Sequence, residues 1–220
     1  VWEQAKQEND YKKFEPYLEK VIDMTRKMAE TKSEYLKMDV YDVLLNENEE
    51  GVLKDTIDPL FEEMKKALIP LVKNITAAGE CDGAKFIGEY PVQDQIAFSK
   101  YLLEYIGFSL DSGVLGESEH PFTTALSKSD VRLTDHYDTR DIIDAMFSII
   151  HEGGHGIFEQ NVSDSLDETP LYSCRYLGLH ESKSRFYENI LGRNINFWKP
   201  VYKKLQDTFP QYQGITIDEF

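Results

Sequence analysis

The chain has 220 residues, 41% hydrophobic and 29% charged, which excludes a disordered protein and suits one domain with a core, or part of a larger one. Its formal charge of −16 argues against nucleic acid and against an anionic membrane surface as partners. No apolar run approaches the roughly 20 residues of a membrane span. The opening VWEQAKQEND has neither an apolar signal core nor an initiator Met, which implies a chain cut from something longer. Cys81 and Cys174 are too few for a secreted disulfide scaffold, so two free thiols in the cytoplasm are expected.

In chain order, residues 2–45 read as helical, with Tyr11, Phe14, Leu18, Val21, Ile22 and Thr25 at three- and four-residue spacing. After a polar break at 46–51, Asp58-Pro59 is expected to open a helix with Pro at its first position. Leu60, Met64, Ala67, Leu68, Leu71 and Ile75 are its expected buried stripe. Another helix begins at Pro91 and stops at Gly107. Residues 108–137 change character, with strands expected at 120–126 and 130–137, where Val131, Leu133 and Tyr137 alternate with polar residues. Thr139 is expected to cap an apolar helix over 140–161. Thr169-Pro170 should cap the next, running to about 191, and 195–208 reads as one more. Tyr172, Tyr176, Phe186, Tyr187, Phe197 and Trp198 fall at helical spacing and are expected in the core.

The fold class is therefore mainly α with a small β element around residues 113–137. A single domain over 1–220 is expected, with a helical scaffold to 107, a loop with short strands over 108–137, and helices bearing the site over 138–220.

The segment HEGGH, 151–155, carries the chemistry. Positions i and i+4 of a helix share one face, so His151 and His155 can hold one cation with their imidazole nitrogens. Glu152 lies about 100° around the helix, where it can take a proton from water activated by the metal. Gly153, Gly154 and Gly156 weaken such a helix by roughly 1 kcal/mol each, which close approach of another helix or a substrate strand would explain. A zinc site needs a third protein ligand. Glu181, on the next predicted helix, is the best candidate, and its neighbour His180 is the rival.

At these residues the chain resembles the thermostable carboxypeptidase (carboxypeptidase Taq) family. The likeness runs in order through Asp42-Val43-Leu44-Leu45, His120-Pro121-Phe122, Asp130-Val131-Arg132-Leu133-Thr134, HEGGH with Gly156 and Glu159-Gln160, Thr169-Pro170-Leu171, and His180-Glu181-Ser182. The resemblance implies a helical metallopeptidase fold with a cleft, distantly like angiotensin-converting enzyme and neurolysin. It also implies removal of C-terminal residues from peptides, zinc or cobalt as the metal, and a homodimer. It makes Glu181 the third ligand. Lys183 departs from the family's usual Gln, and GVLGESE before the HPF block lacks an expected Arg and Asp. Members are about twice as long as this chain.

For recognition of a substrate carboxylate, Arg132 is the local candidate, with an ion pair to a neighbouring acid as the alternative. His120 could bond substrate or fix the turn before Pro121. Glu188 and Asp144 could orient the imidazoles or be solvated acids, and Arg185 could orient Glu181. No residue is an obvious stabiliser of the oxyanion. The rival readings are an oligopeptidase or endopeptidase on the same scaffold, and a silent fragment that binds metal or a partner without turnover.

Overall fold

The computed structural model describes residues 1–79, 83, 86–166, 169–174 and 176–220. Cys81 lies outside the described residues. The fold is mainly α with one three-stranded sheet, the class expected. Two compact units are present, residues 1–80 with 175–177, and residues 81–174 with 178–220. Among the described residues no helix is long and apolar enough to cross a membrane.

The first unit holds α1 (Trp2–Gln7), α2 (Tyr11–Leu36), α3 (Val40–Asn48) and α4 (Lys54–Ala77). The single helix expected over 2–45 is broken twice, where Asn9 (φ 51°) and Lys37 (φ 57°) adopt left-handed conformations. Each break is followed by an aspartate cap. Asp10 accepts from the Lys12 N–H at 3.1 Å and Asp39 from that of Tyr41 at 2.9 Å. α4 starts before Pro59 and contains both Pro59 and Pro70, so Pro59 does not occupy the first turn position expected of it. The expected buried stripe of α4 is exposed, with Leu60 at 58% and Ile75 at 60%. Within its unit and among the described residues, α4 packs mainly against α3.

The second unit contains α5 (Val92–Ile106), β1 (Gly113–Glu117), β2 (Thr123–Ser127), β3 (Asp130–Asp135) and α6 (Ile143–Gln160). α7 (Leu177–Arg185), a π-turn (Phe186–Leu191), α8 (Ile195–Trp198) and α9 (Tyr202–Thr208) follow. α6 begins later than expected because Asp141, not Thr139, meets its first N–H, accepting from Ile143 N at 2.8 Å. The helix expected from Thr169 begins only at Leu177 and widens at Phe186. The helix expected over 195–208 is two pieces, with Pro200 between them.

The sheet order is β1-β3-β2, with β1 parallel and β2 antiparallel to the central β3. β3 alternates. Val131, Leu133 and Asp135 are buried, while Arg132 points to the exposed side. α6 packs on this sheet and on α5, over a core that includes Leu102, Leu103, Ile149 and Ile150. Trp198 joins that core as expected, whereas Phe186 is 46% exposed.

Asp135 is a fully buried acid in this core. Ser99 Oγ donates to it at 3.0 Å and the His136 N–H at 2.9 Å. Burial nevertheless pushes its carboxyl up to about 7 from an ordinary 3.8. The folded chain thus binds a proton that the unfolded chain releases. The stability gained from it is complete at acid pH and is lost as pH rises between these two values, about 4 kcal/mol in all. Asp135→Asn is therefore expected to melt at a temperature that varies less between about pH 5 and about pH 8 and is higher than the parent's at the upper end. Thermal scans across that range check this, and an unchanged slope would exonerate Asp135.

Candidate metal and catalytic centre

α6 carries His151 and His155 one turn apart, and its three glycines set what can approach them. A Cβ at Gly153 would meet Ile106 Cδ1 of α5 at 2.5 Å. One at Gly156 would meet Phe108 at 2.6 Å and Leu133 of β3 at 3.2 Å. At Gly154 the obstacle is backbone, with Ser184 Cα of α7 at 2.8 Å and the Lys183 carbonyl at 3.1 Å. Close approach of neighbouring elements thus accounts for all three.

The contact at Gly154 brings Glu181 across to the histidines. Its Oε2 lies 3.3 Å from His155 Nε2 and 3.7 Å from His151 Nε2. One donor atom from each residue falls within 4.8 Å of the others, the separation at which a single cation can touch all three. Burial acts to raise the Glu181 carboxyl, but Arg185, whose Nε donates to Oε1 at 2.8 Å, and the nearby His151 hold it below the ordinary range. Burial, with His180 and His151 alongside, pushes His155 down to about 4. Two imidazoles and a carboxylate held ionised, converging with His155 held in its neutral form, suit zinc.

His180 does not join them. One residue along α7 turns it about 100° from Glu181, so its Nε2 meets Glu159 Oε1 at 2.8 Å. Its ring stacks on His155, with centroids 4.4 Å apart. Glu188 orients His151, meeting its Nδ1 at 2.8 Å. Asp144 lines a cleft together with His151, Glu181 and Glu188.

Glu152 is buried beside the ligands. Thr123 Oγ1, from the edge strand β2, lies 2.6 Å from its Oε2 and 3.1 Å from its backbone carbonyl. Burial raises the Glu152 carboxyl above its ordinary value, and the Thr123 bond and the His151 charge offset part of that rise. His120 and Pro121 form part of the wall of a cleft of about 500 Å³ that also contains Glu152 and Glu181. The His120 carbonyl accepts from Ser118 Oγ at 2.7 Å, which fixes this turn.

Arg132 is not among the residues lining the cleft. Its Nε and Nη2 each donate to Asp130 at 2.8 Å, so the neighbouring acid engages its guanidinium fork. The strand alternation that buries Val131 and Leu133 turns Arg132 away from them. Sequence reasoning missed Thr123 and Arg193. Thr123 follows the HPF block directly, and its alternation along β2 was the available signal.

The sequence model of the family described as carboxypeptidase Taq (M32) metallopeptidase matches residues 1–220. The chain belongs to that family. It is 43% identical over 222 residues to "Carboxypeptidase 1" of Bacillus subtilis (strain 168) and 34% identical over 229 residues to "Thermostable carboxypeptidase 1" of Pyrococcus furiosus. Each alignment covers 100% of this chain but 44% of the relative, so the M32 chain spans somewhat under half their length. A crystal structure named BsuCP superposes with a TM-score of 0.92 at 42% identity, covering 100% of this chain and 44% of that one. The M32 carboxypeptidase from Deinococcus radiodurans R1 superposes with a TM-score of 0.86 at 34% identity, covering 99% and 44%.

Because Gly154 faces backbone rather than a flexible side chain, Gly154→Ala in this M32 chain must displace α7. The expected result is zinc affinity lower by on the order of tenfold or more, with helix content unchanged. Competition with a chromogenic chelator measures it. Unaltered affinity would show that Glu181 does not depend on this contact.

Proposed function

We propose that the protein to which this chain contributes is a zinc carboxypeptidase that removes residues from peptide C-termini, with Glu152 as general base. The observation that supports this best is the convergence of His151, His155 and Glu181 beside a buried glutamate in an open cleft. Cobalt fits the same donors. Two cysteines in 220 residues accord with a cytoplasmic setting.

His151, His155 and Glu181 would hold the zinc, which would supply water activation and Lewis-acid polarisation of the scissile carbonyl. The chain's own part is proton handling and orientation. Thr123 engages Oε2 of Glu152, which leaves Oε1 to accept the proton as water adds to the carbonyl. Its raised proton affinity matches that task. The same carboxyl then delivers the proton to the departing amine. Glu188 fixes the ring of His151, and Arg185 fixes the Glu181 carboxylate.

An oligopeptidase is the second reading, and one observation favours it. The two arginines lining the cleft, Arg185 and Arg193, are already paired with Glu181 and Glu188. Arg132 is paired with Asp130. Among the described residues, no cleft arginine lacks a carboxylate partner of its own with which to clamp a substrate terminus.

Two measurements on the full-length protein test these readings. Glu152→Gln is expected to lower kcat by at least about 10²-fold while retaining zinc; full turnover in that variant would remove Glu152 from the mechanism. Paired peptides with free and amidated C-termini are expected to separate, with only the free acid cleaved at its last bond. Equal cleavage of both would establish the oligopeptidase.

A further inference from the structure

We infer that Arg193 is a positioning residue for the metal centre, acting through Glu188 on His151, and that the π-turn after α7 is what delivers it. This rests on the metal-centre reading above. The Glu188 carboxylate has two jobs, one per oxygen. Oε2 meets His151 Nδ1 at 2.8 Å and accepts from Arg185 Nη1 at 3.2 Å. Oε1 accepts from Arg193 Nη2 at 3.2 Å. A terminal carboxylate torsion is broad and close to two-fold. Gripping the second oxygen therefore holds the first in the plane of the imidazole. With His151 Nε2 turned to the ligand cluster, Nδ1 carries the proton donated to Glu188.

Arg193 is itself fixed. Its Nε donates to Asn189 Oδ1 at 3.2 Å, and its guanidinium carbon lies 4.5 Å from the centroid of Phe147. Phe147 sits on α6 four residues before His151, on the same face. Arg193 thus closes a loop from the ligand helix through Glu188 back to that helix.

The local backbone makes this possible. In an α-helix, residues five apart lie about 140° apart around the axis, so Arg193 would not stand over Glu188. Here the chain closes i to i+5, with Gly192 N donating to the Tyr187 carbonyl at 2.7 Å. The exit is tight, since a Cβ on Gly192 would lie 2.7 Å from the Glu188 carbonyl oxygen.

The test is a double-mutant cycle on the full-length protein, read as zinc affinity by chelator competition, with cobalt d–d spectra and apoprotein melting alongside. Arg193→Met and Glu188→Gln are each expected to weaken zinc binding by about ten- to a hundredfold. If Arg193 acts through Glu188, Arg193→Met adds less than about twofold in the Glu188→Gln background, and both single variants show the same altered cobalt spectrum. Fully multiplicative effects would overturn the proposal, because a merely structural Arg193 would weaken both backgrounds equally. So would an Arg193→Met protein with parental affinity. If Arg193→Met lowers the apoprotein's melting temperature, Arg193→Lys decides. It keeps a cation and a donor for Oε1, and it must recover most of the affinity whatever its melting temperature. A parent protein that binds no zinc, or one that keeps it in Glu181→Ala, would remove the metal-centre reading itself, an outcome separate from failure of the cycle.

Discussion

The centre depends on how closely the backbones of α6 and α7 approach. Ordinary helix pairs sit 8–10 Å apart because side chains separate them. At Gly154 there is none, and the space a Cβ would take is filled by Ser184 Cα. Glu181, three residues before Ser184, is thereby carried over His155, the residue after Gly154. Glycines cost a helix roughly 1 kcal/mol each. α6 tolerates three because it is enclosed by α5, the sheet and the π-turn and approached by α7 at Gly154, and its helical state comes from burial more than from propensity.

What the sequence revealed depended on the range of the interaction. His151, Glu152 and His155 were legible because a single helical turn relates them. Glu181 was ambiguous beside His180, because chain separation does not say which side of α7 faces α6. The packing at Gly154 decides that, and it sends His180 to Glu159 instead. Thr123 and Arg193 reach their partners through strand placement and an i to i+5 turn, neither of which a 3.6-residue period reveals. Arg132 was left with two readings, and its pairing with Asp130 matches the ion-pair one. Its motif marks the residue type, while the phase of β3, set by burial of Val131 and Leu133, chooses the face. The helix breaks at Asn9 and Lys37 involve left-handed residues that are not glycine, so the usual punctuation was missing.

Glu152, the proposed general base, shows a balance of opposing forces. Burial makes Glu152 more basic, and the Thr123 hydroxyl moderates that effect while holding the carboxylate still. Because the same hydroxyl also reaches the Glu152 carbonyl, strand β2 grips side chain and backbone of one residue together. A displacement of that strand would shift both at once.

The cleft wall also has an electrostatic character of its own. Asp144, Glu152, Glu181 and Glu188 face Arg185 and Arg193, so four carboxylates against two guanidiniums leave a formal charge of −2. A divalent cation brings the lining to neutrality. This chain carries −16, and on the proposed activity that charge would repel a peptide with a free terminal carboxylate at long range. Charge neutralisation by the metal would then serve as an admission condition. On the proposed activity, the metal-loaded cleft would be a neutral breach in an anionic surface, open to anionic peptide ends.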